Sequence, residues 1–374
     1  MRQSRSILLS MISLLVIILI LTVSCNSSDH NQKAISENNI GELPRSSISS
    51  LNKPEKGSTY TCGDKIEFQI NLTDTSAKID SIRYFDGPRH LFSTSGKILK
   101  TDWKSDNVKV GQNTFRVVIY YNDSLTESHT TQVTFLSDIK PAKYSCQVIH
   151  KYPHDPDAYT QGLVYEDGFL YEGTGQAGKS SLRKVNISTG TPIEKVNLEN
   201  RFFGEGITIY KDNIYQITWK SQVGFVYNKS TLDRIREFDY PIHEGWGLTT
   251  DGSKLIMSDG SSHLYFIDPE FFTQTGQLEV FDNKGMVSQL NELEYINGQV
   301  FANVYGDTRI VIIDPATGKV TGSIECENLI PKEVPRDMDH VLNGIAYNPA
   351  TGSLYLTGKY WPVLYEVKLA PPGN

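Results

Sequence analysis

The sequence predicts an all-β protein in which an immunoglobulin-like β-sandwich precedes a five-bladed β-propeller. Two observations lead to this prediction. Short segments of alternating polar and apolar residues recur through residues 51–140, as half-buried strands do. From residue 144 onward, a short phrase followed by several strands occurs five times, and a period of about 40–50 residues is typical of propeller blades.

The N-terminus resembles a targeting segment and is excluded from the fold. Arg2 and Arg5 precede an almost continuous apolar run over residues 7–23, and small residues lead into Cys25. We interpret this segment as a lipoprotein signal peptide with Cys25 as the lipidation site, although Thr22 stands where Leu is more usual. A plain signal peptide or a single membrane anchor is the alternative. In each case the folded part is exported, and a lipidated chain would belong to the bacterial cell envelope, facing the periplasm or the exterior.

We assign residues 1–25 to the signal peptide. After it, the composition of the chain changes twice. Residues 26–50 are rich in Ser and Asn and have no apolar period, which predicts a flexible tether. Residues 51–140 then contain alternating segments such as Lys65–Leu72 and Phe115–Tyr121. Roughly seven short strands in about 90 residues are typical of an immunoglobulin-like sandwich. This region contains no cluster that looks catalytic, so we expect it to be a spacer or docking module.

Composition argues against two classes of function, nucleic-acid binding and zinc binding. The chain has 43 acidic and 36 basic residues, a net charge of −7, whereas phosphate binding needs a basic face, so no nucleic-acid partner is expected. Outside the signal peptide, Cys62, Cys146 and Cys326 form neither a CxxC nor a Cys/His zinc pattern. Their odd number leaves at least one thiol unpaired, and we expect buried small apolar residues, at least at Cys326. The eight His are scattered without zinc spacing.

Five triplets mark the predicted blades over residues 144–370. The middle residues of successive triplets are 44, 41, 45 and 52 residues apart, and this regular period favours a propeller over a two-sheet sandwich. The last repeat supplies only three strands, so Ser145–His150 is expected to complete the fifth blade and to remove an open sheet edge. The triplets are Gln161–Leu163, Glu205–Ile207, Trp246–Leu248, Asn291–Leu293 and Asn343–Ile345.

Equivalent positions of the repeats meet at one end of a propeller, so unlike residues at those positions predict a binding site. One carboxylate, one ammonium group, three amides and several aromatic rings suit a polar group flanked by apolar surface. Singly, each residue has a structural explanation, such as a turn cap for Glu205 or blade packing for the Trp residues. The functional interpretation therefore depends on their shared positions. These are Gln161, Glu205, Trp246, Asn291 and Asn343 before the first strands, and Thr174, Trp219, Ser258 with Asp259, Tyr305 and Lys359 at the ends of the second strands.

Six phrases stand in the repeats in the order Tyr159–Leu163, Phe203–Thr208, Thr218–Lys220, Glu244–Leu248, Leu290–Glu294 and Leu356–Lys359. In this order and spacing they resemble the plant and bacterial type of glutaminyl-peptide cyclotransferase. The resemblance covers about residues 144–370 and implies a five-bladed propeller that is unrelated to the zinc-dependent animal enzyme.

The resemblance also implies a role for each matching residue. Tyr159 stands where the family commonly has Phe, and Tyr305 stands where it commonly has a third Trp. Both positions keep a ring, so we expect a change in pocket polarity or size without loss of activity. The implied catalytic residues are Glu205, as general acid/base, and Lys359, and the implied substrate-binding residues are Tyr159, Gln161, Trp219, Trp246, Asn291 and Tyr305.

The implied reaction converts the N-terminal Gln of a peptide or protein into pyroglutamate and releases ammonia, without a catalytic metal or other required cofactor. The family often has a bound structural calcium, whose ligands this sequence does not identify. A monomer is expected. One alternative is a non-catalytic propeller that binds a peptide or protein at the same face, and release of ammonia from a Gln-initiated peptide would distinguish the two. A calcium-dependent lactonase-like propeller is less well supported, because the five first-strand positions offer only Glu205 as an acid.

Overall fold

The computed structural model describes residues 47–371 of the 374-residue chain. In this range the chain forms β-strands joined by turns, and its one helical element is a 3-10 turn at Glu327–Leu329. The described residues include no helix that is both long and apolar enough to cross a membrane. The predicted signal peptide with Cys25 and most of the predicted tether, residues 26–50, lie outside the described residues.

The N-terminal part of the described chain is built from eight strands. They are β1 (Ser49–Lys53), β2 (Thr59–Thr61), β3 (Lys65–Leu72), β4 (Ile79–Asp86), β5 (Arg89–Ser95), β6 (Lys100–Lys104), β7 (Gly111–Tyr121) and β8 (Leu125–Leu136). One sheet has the order β1-β3-β6, and the other has the order β2-β8-β7-β4-β5. Strand β1 begins at Ser49, so the last two residues of the predicted tether belong to a strand.

The two N-terminal sheets share one apolar core. The alternation that predicts β3 also decides which of its faces is buried, since Ile66, Phe68 and Ile70 are all shielded from solvent. Phe68 packs edge-on against Phe115 of β7, with ring centroids 5.3 Å apart. Because β3 and β7 belong to different sheets, the sheets pack face to face around this core. The all-β character is as predicted, and the immunoglobulin-like classification stays a prediction.

The remaining strands form five four-stranded units, which we call blades 1 to 5. Blade 5 combines the last three strands with β9 (Ala142–Pro153). Blade 1 contains β10 (Thr160–Glu166), β11 (Phe169–Thr174), β12 (Ser181–Asn186) and β13 (Thr191–Asn197); blade 2 contains β14 (Gly204–Tyr210), β15 (Asn213–Thr218), β16 (Val223–Asn228) and β17 (Arg234–Asp239). Blade 3 contains β18 (Leu248–Thr250), β19 (Leu255–Ser258), β20 (His263–Ile267) and β21 (Gln274–Glu279). Blade 4 contains β22 (Leu290–Ile296), β23 (Gln299–Val304), β24 (Arg309–Ile313) and β25 (Val320–Glu325), and blade 5 adds β26 (Leu342–Asn348), β27 (Ser353–Gly358) and β28 (Val363–Ala370).

The first strands of the blades form the inner wall of a closed ring. Strand β14 contacts β10 and β18, β22 contacts β18 and β26, and β26 contacts β10. The ring therefore closes between the last blade and the first. This confirms the predicted all-β, propeller-like architecture.

Glycine at the middle of a triplet lets neighbouring inner strands approach closely. A Cβ atom on Gly162 would lie 2.4 Å from the backbone nitrogen of Ile207, and one on Gly247 would lie 2.0 Å from the carbonyl oxygen of Asn291. Such contacts are far inside van der Waals distance. The glycine that recurs at the middle of the triplets is therefore explained by close packing of the inner strands.

Blade 4 departs from this rule, because its triplet has Glu292 where the other blades have Gly. The Glu292 carboxylate accepts hydrogen bonds from the backbone N–H groups of Leu163 (3.2 Å) and Ile345 (2.8 Å). It thus joins blade 4 to blades 1 and 5 across the centre of the ring. Burial, together with the neighbouring Glu294 carboxyl, raises the pKa of Glu292, while the two N–H donors act in the opposite direction.

Strand β9 closes the ring as the sequence predicts. It pairs antiparallel with β28, from Val363 opposite Pro153 to Ala370 opposite Ser145. The observed strand is longer than the predicted segment Ser145–His150 and begins at Ala142. The edge that β28 would otherwise expose is therefore paired along its length.

The sequence does not predict a second pairing of β9. Its first residues, Ala142 to Ser145, pair parallel with Gly322 to Glu325 of β25, so blades 4 and 5 merge into one eight-stranded sheet. Next to this pairing, the Sγ atoms of Cys146 and Cys326 lie 3.6 Å apart. Both side chains are buried, as predicted for Cys326.

Candidate functional site

All eight catalytic and substrate-binding residues that the family resemblance implies line a single cavity of about 240 Å³, whereas the equivalent repeat positions Asn343, Thr174 and Ser258 do not line it. Each blade pairs its first and second strands antiparallel, so that Gly204 faces Thr218 and Leu290 faces Val304. The start of one strand and the end of the next therefore lie at the same end of the ring. Catalytic and binding candidates meet there: Glu205, Lys359, Tyr159, Gln161, Trp219, Trp246, Asn291 and Tyr305.

Irregular pairing at the start of the first strands directs the key side chains into this cavity. The register shifts between Thr160 and Gly162, between Gly204 and Ile207, and between Leu290 and Leu293. These three intervals contain Gln161, Glu205 and Asn291. β-bulges commonly redirect a side chain next to a functional site, and here they do so in three blades of one ring.

Glu205 occupies a buried environment in the cavity, with 4% of its surface exposed. It accepts a hydrogen bond of 2.9 Å from Nε2 of Gln161. Burial raises the pKa of Glu205 well above its ordinary value, Lys359 opposes this rise, and the charge of Glu244 adds to it. This rise favours the protonated form of the carboxyl group, and perturbed carboxyl groups of this kind are common at functional sites.

A chain of amides fixes the orientation of Gln161. Asn343 donates through Nδ2 to Oε1 of Gln161 (3.1 Å) and to the carbonyl oxygen of Thr160 (2.9 Å). Gln161 must therefore present its NH₂ group to Glu205. Asn343, at an equivalent triplet position in the sequence, is not among the residues that line the cavity and supports Gln161 from behind.

Lys359 is the cation of the site and is 2% exposed. Its Nζ atom lies 4.5 Å from the ring centroid of Tyr159 and 5.1 Å from that of Tyr305, close enough for cation–π attraction. Burial lowers the pKa of Lys359 to about 8, while Glu205 and Asp339 act to raise it. The ammonium group is therefore poised to be charged at neutral pH and neutral in moderately basic solution.

The two tryptophans are held by a residue that the sequence analysis did not single out. Oε2 of Glu244 accepts hydrogen bonds from Nε1 of Trp219 (2.8 Å) and from Nε1 of Trp246 (3.1 Å). These indole donors, with Lys220, oppose the burial of Glu244 and lower its pKa, so that it remains a carboxylate. The phrase Glu244–Leu248 contained this residue, but only the folded chain shows that it touches both rings.

Phe203 and Gln176 complete the lining and were also missed as site residues. Phe203 packs against Trp219 and Tyr159, with ring centroids 5.6 and 6.0 Å away. Gln176 has a positive φ of 80°, a backbone conformation that the sequence pattern does not predict.

Asn291, which lines the cavity, has an unsatisfied polar atom, because its buried Oδ1 atom has no hydrogen-bond partner among the described residues.

Tyr159 and Tyr305 point their hydroxyl groups toward the same loop. The hydroxyl of Tyr159 donates to Oδ1 of Asp339 (3.4 Å), and that of Tyr305 donates to the carbonyl oxygen of Met338 (3.1 Å). Burial raises the pKa of both phenols. The hydroxyl groups thus tie the pocket wall to the connection between blades 4 and 5.

The family resemblance implies a structural calcium, but the described residues do not identify its ligands. Within residues 47–371, no group of three or more His, Cys, Asp or Glu side chains is arranged to hold a metal ion. We therefore assign no residues to a calcium.

The fold and the pocket together define a class of protein: a β-propeller with a pocket at one end, in which a buried carboxyl group and a buried amino group lie between aromatic side chains. A family model described as glutamine cyclotransferase matches residues 118–369, and the chain belongs to this family. The match begins in β7, before the residues that support the resemblance in the sequence. The predicted membership is confirmed.

Two relatives agree with this assignment. A glutaminyl-peptide cyclotransferase from Arabidopsis thaliana is 42% identical over 227 residues, which cover 60% of this chain and 71% of that protein. The crystal structure of glutaminyl cyclase from Myxococcus xanthus is 35% identical and aligns with a TM-score of 0.59, covering 62% of this chain and 99% of that one. This chain is similar to both.

Proposed function

We propose that this enzyme converts the N-terminal glutamine of peptides or proteins into pyroglutamate and releases ammonia. Family membership supports the reaction. The single observation on which the mechanism depends is that Glu205 and Lys359, both buried, face the same small cavity. That cavity suits one glutamine residue, since pockets for larger ligands occupy about 300–1,000 Å³.

The reaction joins two groups of the same residue. The neutral α-amine attacks the side-chain amide carbon, a C–N bond closes the five-membered lactam, and the original C–N bond of the amide breaks to release ammonia. Because the nucleophile is already near its target, much of the entropic barrier is absent. An α-amine has a pKa of about 7.7–8.0, so part of it is neutral at working pH.

Glu205 transfers the proton that the reaction must move. As carboxylate, it takes a proton from the attacking nitrogen, and as carboxylic acid it returns that proton to the departing nitrogen. Burial raises its pKa from the usual carboxyl range in the direction of the operating pH, which suits a group that must both accept and return a proton. Gln161 keeps the carboxyl group in position through its 2.9 Å hydrogen bond.

Lys359 stabilises the negative charge that develops on the amide oxygen during attack. A buried ammonium group is effective there because little water screens it. The lowered pKa of about 8 still leaves Lys359 mostly protonated at pH 7. Asn291 offers its unpartnered Oδ1 to an N–H donor of the substrate, since a buried acceptor without a partner is costly unless a ligand satisfies it.

Aromatic side chains supply the apolar part of the pocket. Trp219 and Trp246 form walls that exclude water and favour the neutral amine of the substrate. Tyr159 and Tyr305 continue this lining around Lys359. No step requires a metal ion, so we propose metal-independent acid–base catalysis without a required cofactor, and a calcium, if bound, would have a structural role.

Outside the catalytic part, we propose an exported, lipid-anchored envelope protein. Cys25 would bear the lipid, residues 26–50 would form a tether, and residues 51–140 would form an immunoglobulin-like spacer before the propeller at 144–370. Phe281, which follows blade 3, packs in the apolar core of the N-terminal sheets. This contact supports a spacer that is packed against the propeller. We expect a monomer that acts on peptide or protein N-termini, faces the periplasm or the exterior, and has no nucleic-acid partner.

A peptide assay tests the proposed reaction. Purified protein is mixed with a Gln-initiated peptide, and ammonia release and the product mass are followed together. We expect stoichiometric loss of ammonia from this peptide and none from the same peptide acetylated at its α-amine, which removes the nucleophile. Binding of the free peptide without release of ammonia would instead support the non-catalytic propeller.

A further inference from the structure

A groove beside the pocket has no part in the mechanism above. It lies between the turn 306–308, after β23, and the loop 335–341, before β26, and its volume is about 300 Å³. Ile330 and Leu342 contribute to its apolar lining. We call this feature the rim groove. Its loop lies in the longest interval between triplets, where the chain has 52 residues in place of 41 to 45.

The rim groove begins where the wall of the pocket ends. Tyr305 lines the pocket, and the next residue, Gly306, lines the groove. The hydroxyl of Tyr305 also bonds to Met338 on the opposite side of the groove. A Cβ atom on Gly306 would come within 2.9 Å of the Met338 side chain, and Gly306 has φ of +78°. The positive φ favours glycine at this position, whereas the contact involves only the flexible end of the Met338 side chain.

The groove has an apolar lining, and the exposed acid Asp339 stands in the loop between two of the lining residues, Met338 and His340. Met338, which lines the groove, is 51% exposed and offers apolar surface to a ligand. Three of the charged groups beside it have partners: Arg336 pairs with Glu327 (3.0 Å), Asp307 with Arg309 (2.7 Å) and Asp337 with His340 (2.7 Å). In contrast, Asp339 forms none of the ion pairs found within residues 47–371 and has the Tyr159 hydroxyl at 3.4 Å.

We propose that the rim groove binds the residues that follow the N-terminal glutamine and that it favours long basic side chains. This inference rests on the proposed function, because a pocket that holds one glutamine leaves the rest of the peptide outside. The aliphatic stem of a Lys or Arg would cover Met338, and its cationic end would reach the carboxylate of Asp339. Long basic side chains commonly combine apolar contact along the stem with a solvated charge at the tip.

Two tetrapeptide amides test this preference, Gln-Lys-Lys-Gly and Gln-Glu-Glu-Gly, with glutaminamide as the substrate that lacks a second residue. For the wild-type protein we expect kcat/KM to be about two- to fivefold higher for the Lys peptide, the range for one partly exposed ion pair. In Asp339→Asn this ratio should fall toward one. Asp233→Asn, which removes an exposed acid from blade 2, should keep the wild-type ratio. Added salt should lower it.

The ratio compares two substrates on one variant, so any common effect of Asp339 on the chemistry cancels. A wild-type ratio near one, or the same ratio in wild type and Asp339→Asn, would overturn the rim-groove inference while turnover of glutaminamide left the proposed function standing. Failure of the wild-type protein to cyclise all three substrates would overturn the proposed function, and the inference with it.

Discussion

The side-chain amide of Gln161 donates a hydrogen bond to the Glu205 carboxylate at 2.9 Å, from blade 1 to blade 2. Both residues lie at irregularities in their inner strands. Asn343 of blade 5 holds the amide in the required orientation. Three blades therefore position the proposed proton carrier, so the role that we propose for Glu205 depends on closure of the ring.

The pH dependence of kcat/KM should be bell-shaped. Glu205 must be deprotonated to accept the first proton, so activity should rise as pH increases through its raised pKa. Lys359 must be protonated to stabilise the oxyanion, so activity should fall as pH increases through about 8. The free α-amine must also be neutral, which steepens the rising limb. A profile measured from pH 5 to 10 that lacked a falling limb would remove Lys359 from the mechanism.

Glu244→Gln should separate the contributions to the rising limb. The charge of Glu244 raises the pKa of Glu205, so neutralising it should move the Glu205 part of the limb to lower pH. The titration of the substrate amine would not respond to this substitution. An unchanged acidic limb in Glu244→Gln would mean that Glu205 does not control it.

Glu244→Ala should disturb substrate binding more than it disturbs folding. It removes the common acceptor of Trp219 and Trp246, so both rings gain freedom. Loss of hydrogen bonds to a charged group should raise KM by about tenfold, with a change in tryptophan fluorescence. Glu237→Ala, an exposed acid on β17, is the control and should leave both quantities unaltered. Unaltered KM and fluorescence in Glu244→Ala would contradict a positioning role.

Chelation should leave catalysis largely intact. The proposed steps use only Glu205, Lys359 and neighbouring side chains, so incubation with EDTA followed by an activity assay should show little loss. A loss of thermal stability with retained initial rate would be compatible with a structural ion. Rapid inactivation that zinc reverses would contradict the metal-independent mechanism.

Glu292→Ala should lower the stability of the ring. The substitution leaves the buried N–H groups of Leu163 and Ile345 without their acceptor, and each unsatisfied donor costs about 1–3 kcal/mol. Thermal unfolding should therefore occur at a clearly lower temperature than in wild type, whereas Glu237→Ala should unfold like wild type. Equal melting temperatures for both variants would show that the carboxylate does not join the blades.

Much of this site could be predicted because propeller symmetry converts sequence period into spatial proximity. Trp246 and Lys359 are 113 residues apart, yet their positions in the repeats, before a first strand and at the end of a second strand, were enough to place them in one pocket. Strand ends were less predictable. The first strands of blades 2 and 4 begin at Gly204 and Leu290, so Glu205 and Asn291 lie inside these strands and not before them as expected, because bulges interrupt the alternation that marks a strand.

Contacts without a periodic signature could not be predicted. The bridge from Glu244 to two indoles depends on the approach of two loops. The parallel pairing of Ala142–Ser145 with β25 depends on where the chain enters the ring, and nothing in the repeat phrase encodes that entry. The rim groove belongs to the same group, since it is formed by the one connection that exceeds the period.

The most direct test of the central claim is the rate of ammonia release from a Gln-initiated peptide by wild-type protein and by Glu205→Gln at equal concentration. The substitution keeps the size of the side chain and removes its ability to carry a proton. With circular dichroism showing both proteins folded, we expect the rate to fall by about 10²-fold or more. A folded Glu205→Gln protein with nearly normal turnover would contradict the assignment of Glu205 as the acid–base group.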